Sequence, residues 1–171
     1  ISYANGEQPV WDTYLKNLEP LSSIIPYMPT LGNHENEKLK TEPRERIGYA
    51  AYLARFALPG EETHYSFDYS GVRFVAFNSD KFNDKTQLEW LDKTLAAART
   101  DASVRWLIVY HHHPLYGSVV KRGDNTPLIR TVQPLYDRYK VDLVVCGHDH
   151  VYERQFPLRG AKPVTSELHK Y

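Results

Sequence analysis

A chain of 171 residues with 42% hydrophobic and 25% charged residues has the size and composition of one globular domain with a real core. Its 21 basic and 21 acidic residues cancel, so charge gives no reason to expect nucleic acid or an anionic membrane as a partner. Cys146 is the single cysteine, which excludes an internal disulfide, and no apolar run is long enough to span a bilayer.

In chain order, VWDTYLKNL after Pro9 sets Val10, Trp11, Tyr14, Leu15 and Leu18 on one helical stripe, with Pro9 suited to its first turn. IIPYMPTL, residues 24–31, reads as a short strand broken by two prolines and running into GNHE. ERIGYAAYLARFALPG predicts a second helix ended by Pro59-Gly60. HYSFDY and VRFVAF alternate around Ser70-Gly71 and predict a β-hairpin. TQLEWLDKTLAAAR predicts a helix opened by Thr86 and Glu89 in capping-box spacing. VRWLIVY is an apolar strand ending at HHHPLY, and TPLIRTVQPLYDRY predicts a helix kinked or restarted at Pro134. VDLVVC is a last buried strand, ending at GHDH. Strands alternating with helices, and some strands antiparallel, predict an α/β domain: a buried mixed sheet with outer helices.

Ligands of such sheets gather beyond the carboxyl ends of strands. Here three apolar strands each run into a histidine-bearing loop: GNHE (32–35), HHHP (111–114) and GHDH (147–150). Residues two apart in an extended segment share a side, so His148 and His150 can reach one metal or two neighbouring ones, with Asp149 pointing away. Three consecutive histidines cannot all face one site, and Pro114 restricts His113 to extended conformations. GNHE offers an amide oxygen, an imidazole and a carboxylate, yet taken alone it reads better as a turn with a helix cap. Together the loops supply imidazole and oxygen donors to a preorganised site. The chain has no Cys₂His₂ or Cys₄ spacing, and it contains no G-x-S-x-G, P-loop or G-x-G-x-x-G.

In order, GNHE, the H-x-P-x-Y of His112 to Tyr116, and GHDHVYER resemble the motifs of the metallophosphoesterase (calcineurin-like phosphatase) superfamily, and among them most the purple acid phosphatases. ISYANG resembles the tail of that family's Gly-Asp-x-x-Tyr block, and QLEWL at 87–91 fits as well. The resemblance implies a metallophosphoesterase-like sandwich and hydrolysis of phosphomonoesters at a dinuclear Fe(III)–M(II) site, M being Zn, Mn or Fe. It implies Tyr3 and His150 as ligands of the iron, and Asn33, His112 and His148 as ligands of the divalent metal. His34 is then the group that contacts phosphate and protonates the leaving oxygen, while Glu35 and Glu153 are supporting groups. His113 falls at a variable position and His111 at the strand end. The loop YGSVVKRGDNTP, with Lys121 and Arg122, either flanks the substrate mouth or is a solvated surface loop.

By the same resemblance two aspartates belong upstream, the bridging one immediately before Ile1, and closing strands follow the segment AKPVTSELHKY. The expectation is therefore that 1–171 is a partial metallophosphoesterase catalytic domain. The expected partner is a small phosphate ester; neither nucleic acid nor membrane is indicated, and oligomeric state is left open. Secretion or a periplasmic location is implied by the family alone. Two further readings stay open: a phosphodiesterase or nucleotide hydrolase of the same superfamily, or a catalytically incomplete metal-binding fragment.

Overall fold

The computed structural model describes residues 1–38, 46–120 and 123–164. Pro9 lies in the first turn of α1 (Gln8–Ser22), where its missing N–H breaks no bond. Trp11 is fully buried beneath this helix and donates its indole N–H to Glu37 Oε1 at 2.8 Å. The strand predicted over 24–31 does not form. Pro26 and Pro29 have no N–H to give a ladder, and the Pro29 carbonyl instead accepts the hydroxyls of Tyr65 at 2.6 Å and Tyr52 at 3.2 Å. Leu31 is buried with Ala4, Trp11, Tyr49, Ala51 and Tyr52 in a small core that seats the chain just before GNHE.

The second helix is also shorter than the sequence predicts. β1 (Glu37–Lys38) pairs antiparallel with β2 (Arg46–Gly48), and α2 covers only Ala50–Leu53. Gly48, at φ +58°, takes the chain out of the helical path. At the other end the Arg55 guanidinium donates to the Ala51 carbonyl at 2.9 Å, satisfying an acceptor that a continuing helix would have used.

β3 (Tyr65–Tyr69) and β4 (Val72–Ala76) form the predicted hairpin, with Tyr69 opposite Val72. Ser70 and Gly71 both have positive φ, 50° and 80°, as the tight turn matching strand twist requires. α3 (Lys85–Thr100) leads to β5 (Trp106–His111), and α4 (Thr126–Arg138) leads to β6 (Leu143–Cys146). β4, β5 and β6 run parallel, giving a mixed four-stranded sheet in the order β3-β4-β5-β6. The mixed α/β class is as expected. α3 is capped by Asp84, whose carboxylate accepts the Gln87 N–H at 2.9 Å, and not by Thr86. α4 runs through Pro134 as one helix.

The main core lies on one face of this sheet, where Leu91 and Leu95 of α3 and Leu128 and Val132 of α4 cover Val75, Phe77, Leu107 and Val109. Each of these side chains contributes about 1.5–3 kcal/mol by leaving water. The opposite face is more open: Trp106, Leu143 and Val145 are about half exposed. β6 is therefore not the buried strand that its apolar run predicted. Among the described residues it stands at the sheet edge beside β5, and its alternate residues Leu143 and Val145 face the more open side. A last short hairpin joins β7 (Leu158–Arg159) to β8 (Lys162–Pro163). Among the described residues no helix is long and apolar enough to cross a membrane.

Candidate metal centre

The sheet delivers its loops to one end of the strands. β5 ends at His111, so His112 and His113 leave the sheet in a bend; β6 ends at Cys146, and Gly147–His150 follow beside them. The Gly147 N–H donates to the His112 carbonyl at 3.0 Å, tying the two loops together where the strands stop pairing. The third loop, GNHE, is a single tight turn over Asn33–Glu35. Fully buried Glu35 holds it, accepting the N–H groups of Gly32 at 2.9 Å and Ser2 at 3.0 Å. Glu35 thus supports the loop from behind.

Within this frame His112 Nε2 lies 2.8 Å from Asn33 Oδ1 and 2.9 Å from His148 Nδ1. Two imidazole nitrogens and an amide oxygen thus converge on one point within hydrogen-bond distance of one another. That is the donor set a borderline divalent cation satisfies. Ligand atoms about 2.0–2.1 Å from a common cation stand roughly 3.0–3.4 Å apart, so these three need to part only slightly to admit one. Burial, followed by neighbouring His113 and His148, pushes the His112 pKa down to about 3, which keeps its imidazole neutral and available as a ligand. The ring sits so close to Gly32 that a Cβ there would lie 2.8–3.0 Å from its atoms. The glycine of GNHE is therefore a condition for His112 being where it is.

A second group, of two side chains, stands beside these three. The Tyr3 hydroxyl is 2.6 Å from His150 Nε2, and the Tyr3 ring stacks on His34 with centroids 3.9 Å apart. Since Asn33 and His34 are consecutive, the GNHE turn touches both groups of donors. His148 and His150 do not lie on an extended segment sharing one side. Both have left-handed backbones, φ 70° and 54°, and each turns to a different partner, His148 to His112 and His150 to Tyr3. Tyr3 is left-handed as well, at φ 59°. Such backbones cost non-glycine residues on the order of 1–3 kcal/mol each and gather at functional sites. Asp149, between the two histidines, lies against Gly117.

Two further residues stand at the centre: Asn5, which the sequence reading does not single out, and His113, which it places at a variable position. Asn5 Oδ1 is 2.7 Å from His34 Nδ1, while its Nδ2 donates to the Tyr3 carbonyl at 2.9 Å. The second bond fixes which end of the amide faces His34, so His34 Nδ1 carries a proton and Nε2 is the nitrogen available to a ligand. His113 is the other: its donor nitrogen lies within 4.8 Å of those of His112 and His148, the one such histidine group among the described residues. The HHH run was the available signal, but sequence alone does not say which of three imidazoles turn the same way. His111 does not join them. It is buried, its pKa pushed down to about 4 by burial, and packs on the core side near Tyr136 and Phe77. Glu153 takes the N–H and hydroxyl of Ser118, tying the GHDHVYER segment to the loop after β5. Lys121 and Arg122 lie outside the described residues.

A calcineurin-like phosphoesterase family model matches residues 3–152, which contain all of these donors. The chain belongs to that family. It is 34% identical to an uncharacterised protein of Mycobacterium tuberculosis over 94% of this chain and 34% of that protein. It is also 34% identical to purple acid phosphatase 21 of Arabidopsis thaliana, over 95% of this chain and 38% of the relative. With purple acid phosphatase 23 of the same plant it shares 36% identity over 86% of this chain and 33% of the relative. The chain therefore spans about a third of the length of these curated relatives.

Proposed function

We propose that this chain carries the metal-binding core of a phosphomonoester hydrolase working at a dinuclear Fe(III)–M(II) centre, M being Zn, Mn or Fe. The observation that carries the reading is the pair of adjoining donor groups: Asn33, His112 and His148 on one side, Tyr3 and His150 on the other. In this reading Tyr3 and His150 hold the iron, and Asn33, His112 and His148 hold the divalent metal. When bound, such cations polarise water and offset charge on the phosphoryl oxygens. Similarity to purple acid phosphatases points to the same chemistry.

The chain's own groups then have distinct tasks. His34, steadied by Asn5 and stacked on Tyr3, presents Nε2 to the substrate; as the imidazolium, with Nε2 protonated as well as Nδ1, it gives the Nε2 proton to the departing ester oxygen and is left neutral. Gly32 lets His112 approach, and Glu35 holds the turn that carries Asn33 and His34 in one orientation. The half-exposed Tyr3 places its side of the centre at the surface, where a small phosphate ester can arrive.

The test is metal content and the visible spectrum of the full-length protein, with turnover of p-nitrophenyl phosphate against its bis-ester. Two metals per chain, a tyrosinate-to-iron band lost in Tyr3→Phe, and preference for the monoester are expected. Two metals with no band and preference for the bis-ester would instead assign a phosphodiesterase. Metal uptake without turnover of either ester would leave a binding module. His34→Ala should lower turnover by about 10²–10⁴-fold with the metals retained.

A further inference from the structure

His113 is held more completely than a residue at a variable loop position needs to be. Its backbone N–H donates to Ser79 Oγ at 2.9 Å, and its ring Nδ1 lies 3.0 Å from the same oxygen. Its carbonyl is 2.8 Å from His111 Nδ1, which must be the donor there because a carbonyl only accepts. Both supporting side chains are buried, Ser79 at 2% and His111 at 1% exposure. Ser79 is anchored in turn. Asn78, just before it, donates its N–H to Gln87 Oε1 at 2.8 Å, and Gln87 Nε2 returns to the Asn78 carbonyl at 3.2 Å. Buried Gln87 belongs to the first turn of α3. A continuous set of buried polar contacts thus runs from α3 through Asn78 and Ser79 to the His113 ring.

With backbone and Nδ1 so engaged, Nε2 is the nitrogen His113 has to offer the cluster it forms with His112 and His148. Its ring centroid lies 4.9 Å from that of His112 and 4.6 Å from that of His148. Metal-ligating histidines characteristically fix the tautomer through a hydrogen bond at the other ring nitrogen. Ser79 Oγ has two lone pairs, enough for both the N–H and the Nδ1–H of His113. In the tautomer that donates Nδ1–H to Ser79, the lone pair stands on Nε2.

Resting on the reading of Asn33, His112 and His148 as a metal centre, we propose that His113 is a further ligand of the same cation, with Ser79 and His111 as its positioning residues. Two consecutive histidines serve one ion because β5 stops at His111, and the bend after it frees His112 and His113 from the strand rule that sends neighbours to opposite faces. His111 keeps the strand's own alternation and faces the core, where it fastens the His113 carbonyl from below.

The experiment uses the full-length protein stripped of metal, titrated with Zn²⁺ against a chromophoric chelator and separately with Co²⁺ for its visible ligand-field spectrum. His113→Leu should weaken Zn²⁺ by about 10–100-fold and change the Co²⁺ band. Ser79→Ala should give a smaller loss with the same spectral drift. His111→Asn, whose amide reproduces the Nδ1 donor, should bind as the parent does, and His111→Leu should not. His148→Leu is the control that separates the two readings. If it weakens Zn²⁺ while His113→Leu and its Co²⁺ spectrum match the parent, His113 is not a ligand and the proposal fails. If His148→Leu also binds as the parent does, the centre itself is misassigned and the proposal falls with it. Should His113→Leu not fold, His113→Gln decides on the same two readouts.

Discussion

At the scale of single residues, the centre depends on one absence and three strains. The absence is the Cβ of Gly32. Gly32→Ala puts a methyl 2.8–3.0 Å from the His112 ring, and His112 cannot yield without leaving Asn33 and His148. Overpacking of this kind costs about 1–3 kcal/mol. The variant should therefore remain folded by circular dichroism yet bind Zn²⁺ roughly tenfold more weakly. The strains are the left-handed backbones of Tyr3, His148 and His150. Asparagine tolerates that conformation better than histidine, so His150→Asn should unfold at the same or a higher temperature in the metal-free state. The same exchange should abolish any visible band. A fall in the metal-free unfolding temperature would show that His150 serves the fold and not a ligand.

At the scale of elements, α3 does two things. Its inner face packs the sheet through Leu91, Leu95 and Ala98, and its first turn sends Gln87 to Asn78 and so to the histidine loop. Leu95→Ala should cost about 2–5 kcal/mol in denaturant unfolding. Asp84→Ala removes the cap and should cost about 1 kcal/mol. Because Gln87 N–H is the group that Asp84 accepts, the cap variant should also loosen the Asn78–Ser79 corner, seen as faster amide exchange there than in the rest of α3. The hairpin and the helices over 85–100 and 126–138 were legible in the sequence, since their periodicity is local and strong. The helix predicted over 45–60 was not, because a left-handed Gly48 and pairing of 46–48 with 37–38 override propensity.

At the scale of the molecule, stability is tied to pH through histidines held neutral away from water. His64 is half-buried edge-on to Trp90, ring centroids 4.6 Å apart. Burial holds its pKa below the ordinary value against the opposing pull of Glu61 and Asp84. The folded state binds that proton less readily than the unfolded chain. The contribution of His64 is therefore full above about pH 6.5 and is lost as the pH falls below it. Unfolding temperature should drop between pH 7.5 and 5.5, with a shallower slope in His64→Phe; an equal slope would remove His64 from the account. The two faces of the sheet also differ as a whole. The helix side is sealed, whereas Trp106, Leu143 and Val145 leave the other side apolar and half exposed.

The sequence by itself determined that two strands, now β5 and β6, end in histidine loops, and that these, read with GNHE, are calcineurin-like phosphoesterase motifs. Both are patterns within a few residues, written by apolar runs and the breaks that follow them. Which side chain meets which was decided only by the fold. Asn33 and His112 are 79 positions apart and Tyr3 and His150 are 147 apart, separations over which no local periodicity carries information. The same holds for His113. Three identical residues in a row look alike in sequence, and they are told apart only when the end of β5 keeps one imidazole in the core and turns two toward the centre.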